Sequence, residues 1–269
     1  MIPKGAKVYD DSNWRELVGN GREVFAGGET RLLSAIPKPE GHDSRLYSRP
    51  FSEVAPTIPR SEWSARIKEQ REKKTYVSAW QKFKSHDQGS YPTCWANGPA
   101  HAGTTTRVMQ GLPLVYLSAM SCAVPISGGH SGGYEGEAIK FMREQGYASV
   151  DVWSNTDASN HSRDEKVIES RKHHKCLEVY ECEGFDQFAT ALLLGFTIAM
   201  SFNWWSHVIS GGDLIEIEAN SFGMDDRNNW GDGYGHKNEY GFGGYVLLRE
   251  GKGTPSGGFA FRQMLSSPI

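Results

Sequence analysis

The chain has 269 residues, 38% hydrophobic, 23% charged and 12% aromatic, the proportions of a folded globule rather than a disordered chain. Its formal net charge is −3, and the densest basic stretch, Lys68 to Lys74, is broken by Glu69, Gln70 and Glu72. Nothing therefore tracks a phosphate backbone, and no nucleic-acid partner is expected.

Met1-Ile2-Pro3-Lys4-Gly5 leads into polar sequence with no apolar signal core. No run approaches the ~20 apolar residues of a membrane span. Four cysteines, Cys94, Cys122, Cys176 and Cys182, do not make a disulfide framework. The expectation is free thiols, a reducing compartment, no membrane partner, and a cytoplasmic or particle-associated location.

Residues 1–56 read as an irregular arm. Prolines at 3, 37, 39, 50 and 56 and glycines at 19, 21, 27 and 28 leave room only for short elements, such as a helix over Ser12 to Val18. Such an arm wraps its own domain or a neighbour. From Thr57 helices are predicted over Ser61 to Lys73, Cys94 to Gln110, Glu135 to Gln145 and Phe185 to Leu194. Gly98, Pro99 and Gly103 weaken the second, so burial must hold it. Strands follow at Phe196 to Phe202, His207 to Ile209, Leu214 to Ala219 and Gly244 to Arg249. Helices first and strands later indicate an α+β fold with an antiparallel sheet in the C-terminal half.

The chemistry concentrates at Asp87-Gln88-Gly89-Ser90-Tyr91-Pro92-Thr93-Cys94-Trp95-Ala96. A cysteine stands where a Gly/Ser/Pro loop enters a helix. First-turn N–H groups and the helix dipole there stabilise a thiolate, and the same donors suit an oxyanion. Gln88 is placed to add a side-chain amide. A thiol nucleophile needs a base. Of the nine histidines, His207 follows Trp204-Trp205-Ser206 and opens an apolar strand. Asn220, in Ala219-Asn220-Ser221-Phe222-Gly223, ends the next predicted strand. Hairpin pairing would bring it beside His207, where an amide oxygen orients an imidazole for proton transfer.

These residues resemble the papain-like cysteine peptidase family. The likeness runs through Gln88-Gly89-Ser90, Cys94-Trp95-Ala96, Gly132-Gly133-Tyr134, Ser206-His207-Val208, Asn220-Ser221-Phe222-Gly223, Trp230-Gly231 and Gly244-Tyr245, over roughly residues 57–269. It implies a helical N-terminal lobe, an antiparallel β-barrel-like C-terminal lobe and a cleft between them. It also implies Cys94 as nucleophile, His207 as base, Asn220 as its orienting amide and Gln88 as oxyanion donor. Gly132, Gly133, Trp95 and Phe222 would bind a peptide or protein substrate, with no metal or other cofactor. Three departures stand out: Tyr91 replaces a family cysteine, Phe222 replaces the tryptophan that shields the His–Asn pair, and Met224 to Phe242 is inserted. The first 56 residues do not resemble the family's inhibitory prosegment. An assembly protein of a viral particle or other complex, engaged through that arm, is the alternative expectation.

Lys172-His173-His174-Lys175-Cys176 with Cys182 does not complete a tetrahedral metal set, and Asp225-Asp226 to Asp232-Gly233 lacks calcium-loop spacing. Both read as structural.

Overall fold

The computed structural model describes residues 2–18, 23–26, 29–41, 43 and 48–266, with the backbone alone for 23–26 and 29. Glycines 19, 21, 27 and 28, part of the irregular arm read from the sequence, lie outside the described residues.

The central helix α3 (Cys94–Met109) is buried from Cys94 through Arg107. Its glycines explain how a helix containing Pro99 persists. A side chain on Gly98 would meet Val208 Cγ1 at 2.6 Å, and one on Gly103 would meet Leu117 Cδ1 at 3.0 Å. Close approach to the sheet replaces the helical propensity that the sequence lacks. Before it lie α1 (Arg15–Val18) and α2 (Arg60–Lys73); after it come α4 (Met120–Ser127), α5 (Glu135–Glu144), α6 (Glu165–Lys172) and α7 (Gly184–Leu193). The helix predicted over Ser12 to Val18 is thus one turn. Those predicted at 61, 94, 135 and 185 begin within one residue of the observed starts.

The strands are β1 (Val8–Tyr9), β2 (Glu23–Ala26), β3 (Glu29–Leu32), β4 (Arg49–Pro50), β5 (Cys176–Cys182), β6 (Thr197–Phe202), β7 (His207–Glu218), β8 (Ser221–Arg227), β9 (Tyr245–Arg249) and β10 (Gly257–Met264). Eight form one sheet in the order β1-β9-β8-β7-β6-β10-β5-β4, and β2-β3 make a separate hairpin. The six inner strands are antiparallel, as expected. β1 and β4, both from the first 56 residues, add in parallel at the two edges. Among the described residues, no pairing closes the sheet into the expected barrel.

Every residue of β6 is buried, because each of its faces meets a layer. Ala199 packs with Trp95, Ala100, Ala138, Val208 and Phe259 on the α3 side. Ile198, Met200 and Phe202 pack with Trp63, Phe185, Phe188 and Phe222 on the α2/α7 side. The sequence showed two strands where β7 is continuous, since Gly211 and Gly212 interrupt its apolar pattern. Gly211 is required by crowding: a side chain there would lie 2.2 Å from Ile198 Cγ1.

Candidate active site

Cys94 opens α3 and is fully buried. Its thiol is pushed up by burial, partly offset by the Ser34 hydroxyl and by the backbone amides of Val208, Ser34 and Trp95. The first turns of α3 pack against the start of β7, where His207 sits: a side chain on Gly98 would meet Val208 and Ile209.

His207 is also fully buried, and its Nε2 lies 2.8 Å from Asn228 Oδ1. The same Oδ1 accepts the Asn229 backbone N–H at 2.8 Å. A backbone amide can only donate, so it fixes which atom of the Asn228 amide is oxygen. His207 Nε2 must then carry its proton, leaving Nδ1 as the lone-pair nitrogen. Nδ1 is buried with no partner. Burial holds the imidazolium down to about 4, partly offset by Asn228. Trp205 and Trp230 bracket the ring, with centroids at 4.9 and 4.8 Å, and each is 1% exposed.

Asn228, not Asn220, therefore orients the histidine. Asn220 is exposed at the far turn of the β7–β8 hairpin, with a φ of 60°. Its backbone N–H reaches Glu216 Oε1 at 3.3 Å. β7 spans twelve residues from His207 to Glu218, so at about 3.3 Å per residue Asn220 is on the order of 35 Å away. The return strand β8 brings Asn228 back to His207. A legible signal existed: Asn228-Asn229-Trp230-Gly231 repeats the Asn-x-aromatic-Gly pattern with the tryptophan that Phe222 lacks.

Phe222 is likewise reassigned. It is 3% exposed, packs its ring 5.0 Å from Trp63, and belongs to the α2/α7 core. Trp95 is fully buried, with its Nε1 donating to Ser131 O at 3.3 Å. A side chain on Gly133 would strike the Trp95 ring at 2.5 Å, so Trp95 supports the cleft wall from beneath.

Gln88 is held beside this centre. Its backbone N–H donates to Asn229 O at 3.0 Å, and Gly231 N–H donates to His86 O at 2.9 Å. The Gln88 loop is thereby locked to the segment that carries Asn228. The Gln88 side-chain amide donates to Leu32 O at 3.1 Å and Tyr91 O at 2.8 Å.

Leu32 belongs to the arm, and the arm fills the cleft. Ser34 Oγ lies 3.2 Å from Cys94 Sγ. Gly133 N–H donates to Ser34 O at 3.2 Å, Ile36 N–H to Gly133 O at 3.0 Å, and Ala35 N–H to Ser206 O at 2.8 Å. Ala35 and Gly133 form a parallel bridge. A side chain on Gly132 would collide with Ser34 O at 2.2 Å. Arg31, 2% exposed, pairs with Asp87 next to Gln88. The arm thus covers the thiol, with the Ser34 hydroxyl against the sulfur.

All four cysteines are buried and unbridged. Among the described residues no cluster of three or more His, Cys, Asp or Glu side chains could hold a metal, and no helix is long and apolar enough to cross a membrane.

No family model and no curated protein matches the sequence. Solved structures do. Xylellain, a cysteine protease from Xylella fastidiosa, superposes with a TM-score of 0.58 at 17% identity, over 93% of this chain and 100% of that one. The structure describing the mite allergens Blo t 1 and Der p 1 gives 0.55 at 15% identity, over 82% of this chain and 78% of that one. Procathepsin L 3 from the larval midgut of Tenebrio molitor gives 0.54 at 13% identity, over 93% and 80%. Similarity at this level resides in the backbone: the chain has the papain-like, two-lobed α+β fold.

Proposed function

We propose that this protein is a papain-like thiol peptidase whose resting state is covered by its own N-terminal arm. The observation that carries the reading is a buried imidazole with one nitrogen engaged by Asn228 and the other left as a lone pair, at the start of the strand that packs on the helix opened by Cys94. In this reading His207 Nδ1 takes the Cys94 proton as sulfur attacks the substrate carbonyl carbon. The oxyanion is held by the Gln88 amide and the first-turn N–H groups of α3. His207 then returns the proton to the departing amine as the C–N bond breaks, leaving an acyl-thioester. Water, deprotonated by His207, hydrolyses it.

Latency follows from the contacts of the arm. With Ser34 on the sulfur and Leu32 on Gln88, both the nucleophile and the oxyanion donor are occupied. Water is excluded, which favours the neutral thiol and neutral imidazole over the ion pair. Assembly through the arm has less support, because its described residues are engaged with this chain's own sheet and cleft.

The test is labelling with a thiol-directed epoxysuccinyl peptide. Wild type should label at Cys94, Cys94→Ala should not, and His207→Ala should label far more slowly at neutral pH. Equal labelling of wild type and Cys94→Ala would sink the reading. Arg31→Ala should speed labelling by roughly fivefold, the loss of about 1 kcal/mol from a pair whose aspartate is half exposed and screened.

A further inference from the structure

We propose that Trp205 is a positioning residue for His207 and that Trp14 of the arm supports it through Trp204; the inference rests on the peptidase reading and names a regulation of its site. The arm then plays two opposed parts. Its segment around Ser34 covers the thiol, while its segment around Trp14 keeps the histidine in place. The need for support comes from the imidazole itself. The bond from His207 Nε2 to Asn228 Oδ1 fixes one atom of the ring, and rotation of a histidine ring about χ2 is only weakly held by rotamer preference. Walls must therefore set the ring plane if Nδ1 is to serve Cys94. Trp230 supplies one, with its centroid 4.8 Å away and its plane tilted by 33°. Trp205 supplies the other, at 4.9 Å and 59°. The two indoles meet edge to face at 5.8 Å and 87°, forming a corner against which the imidazole rests.

The turn that carries Trp205 is strained. It joins β6 to β7, with Trp205 N–H donating to Phe202 O at 3.0 Å and Ser206 N–H to Asn203 O at 3.2 Å. Ser206, between the indole and the histidine, has a φ of 50°. That left-handed conformation is costly for a residue with a side chain and lasts only where neighbours enforce it. The enforcing contacts lie outward. Trp204 stacks on Trp205 at 5.4 Å with the planes 12° apart, and its Nε1 donates to Lys252 O at 3.0 Å. Trp14 closes the row, edge-on to Trp204 at 5.2 Å and 73°. Lys252 Nζ caps both outer rings, 4.3 Å from the Trp14 centroid and 5.5 Å from that of Trp204. Aromatic and cation–π contacts of this kind add to what burial of the rings contributes. Trp14 is itself anchored. Its N–H donates to Asp10 O at 3.0 Å, the residue after β1, which pairs with β9, and Leu17 three residues on is buried in the α2/α7 core. The row of rings thus runs from an edge strand of the sheet to the imidazole. Ser206 O meanwhile accepts the Ala35 N–H, so both parts of the arm act on the same turn.

The experiment uses the full chain carrying Gly132→Ala, whose methyl group collides with Ser34 O and lifts the arm from the cleft, as checked by lost hydrogen-exchange protection at Ala35 and Ile36. Loosening the arm further then has nothing left to uncover. Alkylation of Cys94 by iodoacetamide is followed across pH 4 to 9, with the modified residue identified by peptide mass. A thiol activated by a well-placed imidazole reacts well below the ordinary thiol range near about 8.5. Adding Trp14→Ala should slow alkylation at neutral pH by about fivefold, the order expected for one lost aromatic pair, and move the profile to higher pH. Trp205→Leu should slow it by at least about tenfold, as a displaced catalytic group does. Trp205→Phe keeps a ring against the imidazole and should recover most of that loss. A residue that merely holds the fold would lower Tm and leave the profile of the folded fraction in place. An unchanged or faster rate with Trp14→Ala makes Trp14 a tether alone and overturns its supporting role. Equal rates for Trp205→Leu and Trp205→Phe overturn the positioning role. Both results leave the peptidase reading standing. If Cys94 in the arm-lifted Gly132→Ala chain alkylates only with the profile of an ordinary thiol, the peptidase reading and this inference fall together.

Discussion

Asn228 makes one hydrogen bond that decides a tautomer, and this can be measured. Asn228→Ala should lower the rate of Cys94 labelling on the order of 10- to 100-fold, a part of what a positioned general base contributes. Asn220→Ala, at an exposed turn with positive φ, should leave the rate unchanged. The pair of variants separates the two asparagines by kinetics alone. Their confusion in the sequence has a physical cause. Both precede an aromatic residue and a glycine, and only the length of β7 decides which one comes back to His207. That length was hidden because Gly211 and Gly212 make one strand look like two. Cys94, His207 and Gln88 were legible because each lies at an element start or beside a tight loop, where local sequence is informative. The place of Ser34 against Cys94 depends on a contact between segments far apart in the chain, and no local pattern announces it.

The decisive element is the arm strand against Gly132 and Gly133. Gly132→Ala would thrust a methyl group at Ser34 O, so the arm should be displaced. Labelling of Cys94 should rise several-fold, and the arm amides of Ala35 and Ile36 should lose hydrogen-exchange protection. Phe222→Ala tests the opposite assignment. It empties a place in the α2/α7 core, so stability should fall by about 3–5 kcal/mol. Labelling of the folded fraction should be unaffected, which a substrate-binding residue would not permit. Of the helices of the main body, α2, α3, α5 and α7 were readable in the sequence, whereas α4 and α6 were not. β5, β8 and β10 were not predicted; they become strands by pairing with β4, β7, β9 and β6, a property of topology rather than of local propensity.

At the scale of the whole molecule, buried histidines set the acid limit. His86 and His101 stack at 4.7 Å, and both are fully buried. Burial holds His86 down to about 3 and His101 well below its ordinary value, with Arg227 nearby opposing either charge. In the unfolded chain both bind protons near pH 6.5, while in the fold they stay neutral. Their contribution to stability is therefore present above about 6.5 and is lost as pH falls toward their folded values. Glu135, Asp225 and Asp226 are shifted the other way and act with opposite sign. The clean test is a comparison: His101→Phe should flatten the fall in Tm between pH 6.5 and 4 relative to wild type. A slope identical to wild type would remove His101 from the account.

The sheet is flanked at both edges by short strands from the first 56 residues, β1 on β9 and β4 on β5. Between those two anchor points runs the segment that crosses the cleft. A segment fastened at both ends cannot diffuse away when it lifts; it remains at an effective concentration in the millimolar range. A free peptide must match that concentration to compete, however well it fits. One backbone cut between Lys38 and Arg49 would abolish this advantage by freeing one end, without disturbing either edge strand. A single nick there, rather than removal of the arm, is enough to turn an intramolecular occupant into one that leaves.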